Sequence, residues 1–161
     1  MQSPGPRHPC WSCEEAAAQP IVLVAVNRSK LPDALAGLPP FEGRIVIATD
    51  NPIEALFEPI ALHGRTSSEA FVRLVPYERV VKAFNHLRPA SRLADPVERG
   101  GRRVMFLTGD DARAHATVTT VATLIDRLGF AGIDLGTLAE GGRRSRFPGG
   151  PSSALELVRF G

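Results

Sequence analysis

A chain of 161 residues with 43% apolar and 22% charged residues is sized for one domain with a single core, and the length argues against two independent domains. Its 19 basic and 17 acidic groups leave a net charge of +2, too balanced to imply a nucleic-acid partner. No apolar run approaches the roughly 18 to 20 residues of a membrane-spanning helix, and MQSPGPRHPCWSCEEAAAQP lacks the continuous apolar core of a secretory signal, so a cytoplasmic protein is expected.

Residues 1–19, rich in Pro, Ser and Ala without a sustained period, read as a disordered lead-in, and residues 20–161 as the folded domain. Cys10 and Cys13 form the C-x-x-C of HPCWSC beside His8. With no second cysteine pair this falls short of the four ligands of a structural zinc site, although a redox or metal handle stays open. IVLVAVN, Ile21 to Asn27, is a continuous apolar run that suits a parallel strand covered on both faces. A helical segment from Ser29 or Lys30 to Leu38 follows, ended by Pro39 and Pro40, and RIVIATD supplies a second buried-type strand before the Asn51-Pro52 turn.

After a loop to Thr66, the sequence Thr66-Ser67-Ser68-Glu69 has the capping-box pattern of a short helix with Phe71, Val72, Leu74 and Val75 as its apolar face. Arg79 to Asn85 is the third strand, with Lys82 expected to snorkel to a sheet end or touch a neighbouring loop. Residues 88–101 read as a long loop and RRVMFLTGDD as the fourth strand. Asp110 is the expected N-cap of the strongest helix, with Val118, Val121, Ala122, Ile125 and Leu128 facing inward and Gly129 closing it. AGIDLGTL gives a last short strand, EGGRRSRFPGG a flexible surface loop or a phosphate cradle, and Ser152 to Phe160 a C-terminal helix. Strands alternating with helices define an α/β domain with a mainly parallel sheet and right-handed crossovers.

The four histidines, His8, His63, His86 and His115, show no metal-ligand spacing, and no G-x-G-x-x-G, G-x-x-x-x-G-K-[ST] or G-x-S-x-G occurs in the chain. The arginine groups Arg99, Arg102, Arg103 and Arg143, Arg144, Arg146 read as solvated loops, with anion sites as the alternative. Asn27, Asp50, Asn51 and Asn85, followed by His86, fall at the carboxyl ends of buried strands, the edge where open α/β sheets bind ligands. Asn and Asp also favour strand-to-loop turns, so pocket and turn chemistry both fit this placement.

The succession TSSEAFVRLVPYERVVKAFNHL, GRRVMFLTGDD, LIDRLGFAGIDLGTLAEGGR, PGG and LELVRFG resembles the family of coenzyme F-420-dependent NADP reductases and their dinucleotide-binding relatives, over roughly Ile21 to Gly161. The resemblance implies a Rossmann-like, mainly parallel sheet with flanking helices that binds NADP and exchanges a hydride with a deazaflavin, coenzyme F-420, or a similar acceptor. It implies no catalytic side chain and no metal, since the hydride chemistry belongs to the cofactors. By position, Ala25, Val26 and Asn27 would pass near the dinucleotide, Asn51 and Pro52 would border the nicotinamide, and Ala83, Phe84 and Asn85, with His86 beside them, would line the crevice where the rings meet.

Asn27 stands where relatives have proline, Ala48-Thr49-Asp50-Asn51-Pro52 where they often read D-A-T-N-P, and His86 where they often have Thr. The family's first strand and glycine-rich loop have no counterpart before Ile21, so the domain is expected to be N-terminally incomplete, its coding sequence truncated, and its cofactor site impaired. A strand beside Ile21 to Asn27 would then be missing, leaving an unpaired sheet edge that invites a partner, a homodimer included. The alternative to an enzyme is therefore a non-catalytic binding or assembly module that completes this edge against another chain.

Overall fold

The computed structural model describes residues 11–53, 62, 64–75, 79–88, 90, 95–110 and 114–161. The Val/Ile runs form β1 (Ile21–Val24), β2 (Ile45–Ala48) and β3 (Arg79–Ala83), paired in parallel with Ile21 opposite Ile45 and Ile45 opposite Arg79. β5 (Gly101–Gly109) then joins β3 antiparallel, with Val81 opposite Gly109, and β6 (Ala131–Asp134) runs parallel to β5. The main sheet is thus mostly parallel, with one antiparallel join. The two-residue strands β4 (Val97–Glu98) and β7 (Val158–Arg159) pair antiparallel with the first residues of β5.

Alternation along β2 explains why it tolerates no polar residue. Val46 and Ala48 enter one core layer with Leu31, Phe41 and Phe71, while Ile45 and Ile47 enter the opposite layer with Met105, Val121 and Ile125. The first layer is covered by α1 (Cys13–Ala17), α2 (Leu31–Leu35) and α3 (Ser67–Val72), the second by the long helix α4 (Ala114–Arg127). Each large aliphatic chain buried there contributes about 2–3 kcal/mol.

Several elements differ from the sequence expectation. Within residues 13–17, read as lead-in, Ser12 and Glu15 close a capping box that starts α1, and Ala17 is buried in the core. β1 is not covered on both faces: Leu23 is 50% exposed, and among the described residues β1 pairs only with β2. The span 88–101 is not all loop, because Arg99 (φ +52°) and Gly100 (φ +82°) make a two-residue hairpin turn joining β4 to β5. In α4, Val121 and Ile125 are fully buried and Val118 and Ala122 pack against them, whereas Leu128 is half exposed and Phe130 fills the core in its place. Gly129 ends this helix at φ +88° with the Phe130 N–H on the Ile125 carbonyl, as expected of a helix-closing glycine.

The glycine-rich segment does not start as a loop; it forms α5 (Glu140–Ser145). A Cβ on Gly141 would meet Thr108 Oγ1 at 2.6 Å and one on Gly142 would meet Ser68 Oγ at 2.8 Å, so both glycines exist to let α5 lie directly on β5 and α3. The expected helix from Ser152 to Phe160 is replaced by turns and β7. Ala154 sits at φ +59° and the backbone of Val158 and Arg159 pairs with Arg103 and Arg102, which a continuous helix would forbid.

Candidate functional site

Because β2 and β3 are parallel, their carboxyl ends open on one edge of the sheet, and the polar residues after them meet there. Asn51 Nδ2 donates to the Asn85 carbonyl at 2.8 Å, and Asn85 Nδ2 donates to Asn51 Oδ1 at 3.2 Å and to the Ser145 carbonyl at 3.0 Å. The Phe147 N–H donates to Asn51 Oδ1 at 3.1 Å, so two side-chain amides clasp three segments: the β2 exit, the β3 exit and the end of α5. Between Ala83 and Asn85, Phe84 adopts φ +60°, a left-handed conformation that costs an aromatic residue about 1–3 kcal/mol. That reversal is what turns Asn85 into the clasp.

Under this clasp lies a buried charge network. Lys82 is fully buried; its ammonium donates to the Asp50 carbonyl and to Ser67 Oγ (3.0 Å) and stands 3.7 Å from Asp50 Oδ1. Arg28, from the turn after β1, reaches Asp50 Oδ2 at 3.4 Å and the Ser67 carbonyl at 3.3 Å. Burial lowers the Lys82 pKa below its ordinary value; the Asp50 carboxylate pulls the other way and the Arg28 charge adds to the lowering. Lys82 therefore does not snorkel to solvent but touches the neighbouring elements, tying β3 to the β2 exit and to the first turn of α3. That turn is itself fixed by the expected capping box, with Glu69 N–H on Thr66 Oγ1 at 3.1 Å and Thr66 N–H on Glu69 Oε2 at 2.7 Å.

Of the residues singled out in the sequence, Asn51, Pro52, Ala83, Phe84, Asn85 and His86 come together at the β2 and β3 exits. Ala83 is fully buried and His86 is buried with its ring 4.6 Å from that of Phe106, so these two back the wall. Asn27 is exposed and precedes the 3-10 turn Arg28–Lys30 without a side-chain capping bond, while Ala25 and Val26 line a separate apolar groove with Leu35, Leu38 and Phe41. Asp110, expected to cap α4, accepts the Leu138 N–H at 2.6 Å; residues 111–113 lie outside the described residues, as do His8, Cys10 and His63, while Cys13 is exposed. No sequence expectation placed Arg28, Ser67 or Ser145 at the site, and only Ser67 had a signal, its place in the capping box. Among the described residues no group of three His, Cys, Asp or Glu side chains could hold a metal, and no helix is long and apolar enough to cross a membrane.

No protein-family model and no curated protein matches the chain. Among solved structures, the hypothetical protein SMa0349 from Sinorhizobium meliloti is 40% identical with a TM-score of 0.83, aligning over 92% of this chain and 71% of its own. A proposed F420-dependent NADP reductase from Arthrobacter sp. FB24 is 29% identical with a TM-score of 0.56, over 80% of this chain and 61% of its own. A reductive aminase from Aspergillus terreus, in complex with NADPH and ethyl-5-oxohexanoate, shares 17% identity and a TM-score of 0.51 over 78% of this chain and 38% of its own, a likeness of fold alone. The mostly parallel sheet with its polar carboxyl edge is therefore the Rossmann-like fold of an NADP-oxidoreductase type. The chain belongs with SMa0349, a hypothetical protein, and is similar to the Arthrobacter protein, of which it spans less than two thirds.

Proposed function

We propose that the chain acts as an NADP-dependent oxidoreductase that supports hydride transfer between NADP(H) and a deazaflavin such as coenzyme F-420, or a similar acceptor, at the exits of β2 and β3. The observation that carries this reading is the 29% identity, over 80% of the chain, with the Arthrobacter protein described as an F420-dependent NADP reductase. When bound, the cofactors supply the hydride chemistry. What the chain supplies is a wall: Pro52, which lines the concavity beside the β2 exit, and Phe84, partly buried against the second core layer, flank the Asn51–Asn85 clasp that holds the two exits together.

The residues fit the ring side of such a site better than the phosphate side. After β1 the backbone passes through exposed Ala25 and Asn27 (φ −59°), not a glycine turn, and the chain carries no G-x-G-x-x-G to offer backbone N–H groups to a pyrophosphate. The reading therefore includes weakened dinucleotide affinity.

A second reading, a non-catalytic module that pairs its open edge with a partner or a second copy, is favoured by the half-exposed Leu23 on β1 and by the apolar groove beside it. Size-exclusion chromatography with NADPH titration by fluorescence separates the two. A monomer that binds NADPH saturably in the micromolar range supports the oxidoreductase; a dimer blind to NADPH supports the module and overturns catalysis.

A further inference from the structure

A second concavity, of about 370 Å³, opens where the turn after β2, the start of α3 and the loop after α5 meet. Pro52, Arg65, Thr66, Arg143, Arg146 and Pro148 are among its lining residues. Three exposed arginines from two separate stretches of chain thus line it. The arginines on β5 behave differently: Arg103 pairs with Glu98 at 2.8 Å and Arg102 with Asp126, the ordinary fate of a surface cation. Among the described residues no carboxylate lies within ion-pair distance of Arg65, Arg143 or Arg146. Among the described residues, the acidic group in the field of Arg65 and Arg143 is Glu69, and its carboxylate is already committed to the Thr66 N–H at 2.7 Å.

These arginines are not carried by a wandering loop. Gly142 seats α5 against Ser68, the Asn85 amide holds the Ser145 carbonyl, and Asn51 holds the Phe147 N–H. Beyond the helix, the Gly150 N–H bonds the Arg146 carbonyl at 2.8 Å, and a Cβ on Gly150 would meet the carbonyls of Arg143, Arg144 and Arg146 at 2.4–2.7 Å, so only glycine closes this turn. Three like charges held in one concavity repel each other, and an anion placed among them removes that cost. Guanidinium forks match planar or tetrahedral oxyanions by paired N–H donors.

We infer that this concavity is a binding site for an oxyanion, the phosphate or carboxylate of a small ligand. The inference goes beyond the proposed hydride transfer and does not need it. It does share Pro52 with the crevice wall, so a ligand anchored here by its charged end reaches toward the β2 and β3 exits.

The test is calorimetric titration of the full chain at low ionic strength with inorganic phosphate and, in parallel, with acetate. Saturable binding of either is expected. It should weaken about tenfold in Arg143→Gln and in Arg146→Gln, the ratio expected for one charge-assisted hydrogen bond, and stay unchanged in Arg127→Gln, a helix-end arginine outside the concavity. Competition by NADP+ but not NAD+ identifies the dinucleotide 2′-phosphate as the source, competition by both identifies the pyrophosphate, and competition by neither assigns the anion to another ligand. No saturable binding of either probe, or binding that both variants leave intact, overturns the inference. NADPH titration of the same samples reads the cofactor proposal separately, since either result can fail while the other stands.

Discussion

The exits of β2 and β3 and the edge of β1 begin from the same kind of Val/Ile-rich sequence and end as opposites. At the exits, polar side chains hold one another: Lys82, Asp50 and Arg28 share one buried network, and Asn51 and Asn85 clasp each other and the end of α5. At the β1 edge, the chain offers apolar side chains, with Leu23 half exposed beside a groove lined by Val22, Val26, Leu35 and Phe41. Depth in the sheet decides the difference. A strand with a neighbour on each side can bury a charge only by pairing it, whereas an edge strand can leave a leucine in water at little cost.

That contrast orders the expected effects of substitution. Lys82→Met strands the buried Asp50 carboxylate with Arg28 alone and should cost about 3 kcal/mol in urea unfolding; a loss under 1 kcal/mol would show the network to be dispensable. Its pH dependence has a definite sign. Because burial lowers the folded-state pKa of Lys82 below its ordinary value near 10.5, the unfolded chain holds that proton more tightly, and wild-type stability should rise as pH climbs from the lowered value toward 10.5. The Met variant should lack this rise.

Asn85→Ala should cost about 2 kcal/mol by leaving the Ser145 carbonyl and Asn51 short of partners. Hydrogen exchange should show faster loss of protection at the Phe147 amide than in α4, and uniform change across both would deny a local clasp. Thr66→Ala should cost about 1 kcal/mol by opening the α3 capping box. The Thr66 backbone N–H, then its side chain, holds Glu69 below its ordinary value of 4.5, so the stability this cap supplies is present above pH 4.5 and fades as pH falls through the lowered value. Stability curves of Glu69→Ala, which removes the titrating carboxylate, and wild type should converge in acid; parallel curves would sink this assignment. Smallest of all, Leu23→Lys should change monomer stability by no more than about 0.5 kcal/mol. A larger loss, or a change in elution volume, would show that the β1 edge is covered in solution.

Much of this contrast was legible in the sequence, and the misses have physical causes. Val/Ile-rich runs announce β1, β2 and, around Lys82, β3, and the Thr66 to Glu69 spacing announces α3, because both signals are local. The antiparallel join at β5 is not local: a connection through residues 88–101 is compatible with either direction, and only the register of Val81 against Gly109 decides it. Gly141 and Gly142 suggested a loop because glycine weakens helices by about 1 kcal/mol, yet their contacts with Thr108 and Ser68 require the absence of a side chain. At the site, strand-end position marked Asn51, Asn85 and His86, but their partners Ser145 and Phe147 lie some 60 to 96 residues away, out of reach of any local pattern. Asn27 carries the same positional signal as Asn51 and remains a solvent-facing turn residue, because no described segment folds over the β1 exit to meet its side chain.

The proposal that the ring-binding wall lies at the β2 and β3 exits is tested most directly by amide chemical-shift mapping of the full chain with NADP+. The account predicts saturable shifts centred on Asn51, Phe84, Asn85 and Phe147, with α4 unaffected. Shifts confined to the β1 groove of Val22, Leu23 and Leu35, or no saturable shifts at millimolar NADP+, would contradict it.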